Sequence, residues 1–140
     1  MDTEMIGQQE DTLIRGYVET MLILALSHGK PDNTRIDLLV KRALRHPQMR
    51  HLTYEELYRI VRHCLLVMDM EDFDEQLRSL DTLLTTEEER YTALDVALST
   101  VMVSGKLDMR EKRRLLDLQL FFGLTDEEIE DIISRYHIST

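Results

Sequence analysis

The sequence predicts an all-α fold: a single-domain bundle of about seven helices in two pseudo-symmetric halves. Three observations predict it. Apolar residues recur at helical spacing along most of the chain. The 140 residues include only two prolines and five glycines, too little punctuation for many short strands. One arrangement also occurs twice in the same order. His28-Gly29-Lys30-Pro31-Asp32 is followed by Leu52-Thr53-Tyr54-Glu55-Glu56-Leu57, and Ser104-Gly105-Lys106-Leu107-Asp108-Met109-Arg110-Glu111 by Leu124-Thr125-Asp126-Glu127-Glu128-Ile129.

Residues 1–11 form a polar, flexible N-terminus, and the helical domain spans 12–140. The first helix runs from Thr12 to Ser27, with Ile14, Tyr17, Val18, Met21, Leu22 and Ala25 on one face. Gly29 ends it and Pro31 keeps Lys30 out of helix. The second helix covers Asn33 to Leu44, capped by Asp32, and 45–51 is a loop. Thr53 and Glu56 form a capping box for the third helix, with Leu52 and Leu57 as its staple. A fourth helix at 73–84 links the halves, which span about 12–68 and 86–137. Glu87, Glu88 and Glu89 open the fifth where the helix dipole favours carboxylates. The sixth begins at Asp108, buries Leu115, Leu116, Leu118 and Phe122, and stops at Gly123. Thr125 and Glu128 repeat the capping box for the last helix, which ends near Tyr136. At an offset of 76 residues Glu19 aligns with Asp95, Leu22 with Leu98, Gly29 with Gly105 and Asp32 with Asp108.

The net charge is −10 and unevenly spread: nine basic and ten acidic residues in 1–70, eight and seventeen in 71–140. An acidic surface repels phosphate, which speaks against nucleic acid as a partner. No stretch reaches the run of about 18 apolar residues that spans a bilayer. The single Cys64 excludes an internal disulfide, and the acidic start is unlike a secretory signal, so a cytoplasmic location is expected. Nucleophile elbows, zinc-protease helices and phosphate-binding glycine loops are all absent from the sequence, which favours a binding module over an enzyme.

Four carboxylates are the candidate metal ligands. Asp108 and Glu111 stand at a helix start, where Asp-x-x-Glu is also a capping arrangement. Glu19 and Asp95 lie beside the buried stripes of equivalent helices, and the internal repeat could pair them. If Glu19, Asp95, Asp108 and Glu111 converge, they form one acidic cleft for a divalent cation. His28 alone beside one or two carboxylates is a sparse site, and His46 and His51 lack partners at zinc spacing. Met21, Met49, Met70 and Met109 are candidate partner contacts. The basic residues of the first half could meet an acidic partner or the acidic half of a second copy, giving a homo-oligomer.

The repeated glycine turn and the Leu-Thr-x-Glu-Glu-[Leu/Ile] helix start resemble the TerB-like family of tellurite resistance, from about Gly16 to Tyr136. The resemblance implies two similar helical halves and a link to stress response. It also implies a metal ion held by acidic residues around each turn, and membership of membrane-associated complexes. Here His28 and Ser104 stand where the family has Asp, and Arg35 stands where it has Glu; Glu111 keeps the family residue. The expected function is a non-enzymatic adaptor or stress-response module acting on another protein. Divalent-metal binding and a carboxylate-dependent enzyme are the alternatives.

Overall fold

The computed structural model describes residues 3–102 and 105–136, with side chains from residue 10 onward; Ser104 lies outside them. Among the described residues the regular structure is entirely helical: α1 (Thr3–Ala25), extended by a 3-10 turn (Leu26–His28), α2 (Asn33–Ala43), α3 (Tyr54–Asp69), α4 (Phe73–Leu83), α5 (Glu87–Val101), α6 (Met109–Phe122) and α7 (Asp126–Tyr136). None of these helices is long and apolar enough to cross a membrane.

Helix starts are written locally in the sequence. Thr53, Asp72, Thr86 and Asp108 each accept from the backbone N–H three residues on, and the Glu there accepts from the cap residue's own N–H. Thr125 and Glu128 do the same for α7, and Asp32 caps α2 through the Arg35 N–H. Each cap contributes about 1 kcal/mol. Gly29 closes the 3-10 turn with φ 90° and ψ −176°, a conformation open essentially to glycine alone.

α1 begins at Thr3, ahead of the Thr12 start expected from apolar spacing. That spacing marks only the part of a helix that packs on neighbours. Within that part α1 is not one-faced. Every residue from Gly16 to Ala25 is buried, Glu19 and Thr20 included. A helix buried all round belongs at the centre of a bundle. α1 packs chiefly on α5, and also on α4 and α3. α5 contributes Ala93, Leu94, Val96, Ala97, Leu98 and Thr100 to the buried set. Close approach to α4 depends on Gly16, where an added Cβ would sit 2.5 Å from Leu84 Cδ2.

Two expectations are corrected by burial. Met21 and Met49 are fully buried core residues and offer no contact surface, whereas Met70 (85%) and Met109 (76%) are exposed. Leu116 is not in the buried stripe of α6 but 53% exposed. That stripe is Glu111, Leu115, Leu118 and Phe122, and Leu116 lies a full 100° round the helix from Leu115.

Candidate functional site

The 3-10 turn after α1 sets His28 against the first turn of α6. The Asp108–Glu111 capping box uses one oxygen of each carboxylate: the Glu111 N–H donates to Asp108 Oδ1 at 2.9 Å, and the Asp108 N–H donates to Glu111 Oε1 at 3.0 Å. The second oxygens turn toward His28. Its Nε2 lies 2.6 Å from Asp108 Oδ2 and 3.8 Å from Glu111 Oε2. The three ligand atoms lie within 4.8 Å of one another. The Glu111 side chain is 10% exposed, His28 27% and Asp108 48%, so the cluster has a dry side and an open side.

This donor set fits a divalent transition ion. One imidazole nitrogen with two carboxylate oxygens suits zinc or manganese better than calcium, which takes six or more oxygens. Tetrahedral zinc with bonds of about 2.0 Å holds neighbouring ligand atoms about 3.3 Å apart. The separations of 2.6 and 3.8 Å from His28 Nε2 bracket that value. Asp108 and Glu111 lie together through their capping box, and His28 stands beside them.

Glu19 and Asp95 join neither that cluster nor each other's hydrogen-bond network. Glu19, 2% exposed, accepts from Ser79 Oγ of α4 at 3.3 and 3.4 Å. Burial pushes its carboxyl above the usual range; Arg15 and the Ser79 hydrogen bond pull the other way, and Glu71 adds to the rise. The folded chain therefore holds the Glu19 proton more tightly than the unfolded chain does. The stability from that preference is complete below the unfolded-state pKa and is lost as pH rises through the folded value. Glu19→Gln, which keeps a neutral hydrogen-bonding group there, is expected to raise stability at pH 7 and to change it little in acid. Urea midpoints at the two pH values check this. Cys64 lies nearby, 1% exposed, its thiol pushed up to about 12 by burial and by the Glu19 charge.

Asp95 organises a second network. Its Oδ2 faces His46 Nε2 at 2.7 Å, and its Oδ1 accepts from Tyr136 Oη at 2.7 Å and Arg135 Nη1 at 3.1 Å. The Gln48 N–H donates to His46 Nδ1, so the imidazole proton is on Nε2 and is given to Asp95. Burial alone would raise the Asp95 carboxyl. The hydrogen bonds from His46 and Tyr136 and the Arg135 guanidinium outweigh it and hold the carboxyl below the usual aspartate value. With its oxygens committed to three donors, Asp95 acts here as a structural hub.

Sequence reasoning missed the His46–Asp95 contact, and it weighed His28 as a sparse site without naming Asp108 as its partner. Each joins residues far apart in the chain, and no local spacing marks them. The one local signal, four extra residues near His46-Pro47 in the first half of the repeat, gives the place but not the partner.

The structure also opens a cavity of about 450 Å³ beside α6, lined by Met102, Leu107, Leu115, Leu116 and Ile133 with Lys106, Lys112 and Gln119. No family model, no curated protein and no solved structure matches this chain.

Proposed function

We propose that the chain is a cytoplasmic, non-enzymatic TerB-like module whose site binds one divalent transition ion through His28, Asp108 and Glu111. The observation that carries this reading is the division of labour within the capping box. One oxygen of each carboxylate builds the helix start, and the other is left facing an imidazole nitrogen. The pseudo-symmetric arrangement is part of the proposal. Two features support it: the repeated turns meet at this site, and α1 and α5, equivalent in the repeat, form the central pair. His28 here supplies a ligand from a position where the related family has Asp. A link to tellurite or other stress resistance rests on the sequence resemblance.

Thermal unfolding of chelator-treated protein tests the ion. Zinc or manganese at about 100 times its dissociation constant should add about 2.7 kcal/mol, which is roughly 10 °C for a domain of this size. The gain should vanish in His28→Ala and in Glu111→Gln, since glutamine keeps the capping bond and loses the charge. A gain that survives both substitutions would remove the site from the account.

A second reading, adaptor action through protein contacts, is supported by Leu66 and Met70, 65% and 85% exposed and four residues apart at the C-terminal end of α3. Leu66→Glu with Met70→Glu should then abolish binding to a partner while leaving the unfolding midpoint unchanged. Undiminished binding would move the contact elsewhere.

A further inference from the structure

The cavity beside α6 shares no lining residue with the cation site. Its floor is apolar and belongs to the folded core: Met102, Leu107 and Leu115 are 6%, 9% and 5% exposed, and Ile133 of α7 packs against the same cluster. A volume of about 450 Å³ falls in the range of small-molecule sites. The mouth has a different chemistry. Lys106 and Lys112 line it, both exposed, and neither side-chain ammonium forms an ion pair or hydrogen bond among the described residues. On a chain of net charge −10, two cations without counter-charges beside an apolar hollow stand out. From the rim, Leu116 and Leu120, 53% and 72% exposed and one turn apart, carry the apolar surface outward along the helix.

An apolar floor under a cationic mouth selects a ligand with the converse layout. A neutral hydrocarbon would leave the lysines without a role. A free anion such as phosphate would gain nothing from the floor. We propose that this cavity binds an anionic amphiphile, its alkyl chain lying on Leu107, Leu115 and Ile133 and its carboxylate or phosphate head at Lys106 and Lys112. The lysines act as flexible point charges, so they tolerate either head group. The chain contributes affinity in proportion to the apolar surface it buries. A free fatty acid and a lipid drawn from an anionic bilayer share this chemistry.

The test uses the whole chain and sodium laurate below its micelle concentration, followed by amide chemical shifts. The expected result is one saturable site, with shifts concentrated at Leu107, Leu115, Leu116 and Ile133. Dodecyltrimethylammonium, with the same chain and the opposite charge, should bind at least tenfold more weakly. Lys106→Glu with Lys112→Glu should weaken laurate at least tenfold and narrow or reverse that preference. Both lysines are exposed, so the unfolding midpoint of the double variant should stay at the wild-type value. Sedimentation with phosphatidylcholine vesicles, with and without phosphatidylglycerol, separates the sources. Laurate-sensitive sedimentation with the anionic vesicles alone points to a membrane lipid, and laurate binding without sedimentation points to a free amphiphile. Equal affinity for the cationic amphiphile, unsaturable shifts, shifts away from the cavity, or laurate affinity unchanged in the double variant would each overturn the proposal.

Discussion

Replacing Asp95 with alanine is expected to destabilise the fold by about 3 kcal/mol, because it leaves enclosed hydrogen-bond donors without their acceptor. Three donors converge on this carboxylate. The His46 side chain is 7% exposed, so its Nε2–H would lose its acceptor with little water to replace it. The Tyr136 hydroxyl would lose its acceptor too, and each orphaned donor costs about 1–3 kcal/mol. Arg135 would suffer least. It is 44% exposed and keeps Asp131 at 3.0 Å, so its share is that of a surface pair. Asp95→Asn retains one carbonyl oxygen and should cost less than alanine. The pH dependence gives a second signature. The folded-state pKa of Asp95 is depressed, so its contribution is complete above the unfolded-state value and is lost as pH falls through the folded one. The gap between wild type and Asp95→Ala should be full at pH 7 and should narrow in acid, as pH falls from the unfolded-state value of about 4 through the lower folded one. Denaturant unfolding at pH 7 and through that acid range measures it.

Leu94→Ala should cost a comparable amount, about 3 kcal/mol, through a different mechanism. Leu94 is fully buried on α5, the main packing partner of α1. Truncation removes the transfer energy of the lost methyl groups and leaves a cavity that close-packed neighbours fill only in part. The melting temperature should fall by roughly 10 °C. Leu120→Ala is the control: at 72% exposure on α6 it should change stability by less than about 0.5 kcal/mol. A large loss at Leu120 with a small one at Leu94 would misplace the core.

The features legible in the sequence were those set by neighbours in the chain. Thr53 with Glu56 and Thr125 with Glu128 announced their helices, because a capping box is complete within four residues. Gly29 and Gly123 marked helix ends for an equally local reason, a positive φ that disfavours other residues. Asp108 and Glu111 were legible as a pair by the same logic. What local spacing could not supply was the docking of one turn on another. His28 meets Asp108, and His46 meets Asp95 across 49 residues, only once the bundle has closed. Glu19 shows a different gap. Reading α1 as one-faced put this acid at the flank of a stripe, yet Met21 to Leu26 is an unbroken apolar run. Ile23 and Leu24 lie off the expected face, and both are buried. That run was the available sign of a central helix, and it explains why Glu19 is enclosed and cannot share a cleft open to solvent.

The cation site is the central claim, and its most direct test is calorimetric titration of zinc, then manganese, into chelator-treated protein in two buffers of different ionisation heat. Ligation needs a neutral imidazole and ionised carboxylates, so an ion bound by His28, Asp108 and Glu111 competes with protons for the same atoms. The account predicts one site per chain, heat that differs between the buffers because a proton is released, and loss of that site in His28→Ala and in Glu111→Gln. The absence of saturable heat with either ion, or binding unchanged in both variants, would contradict it.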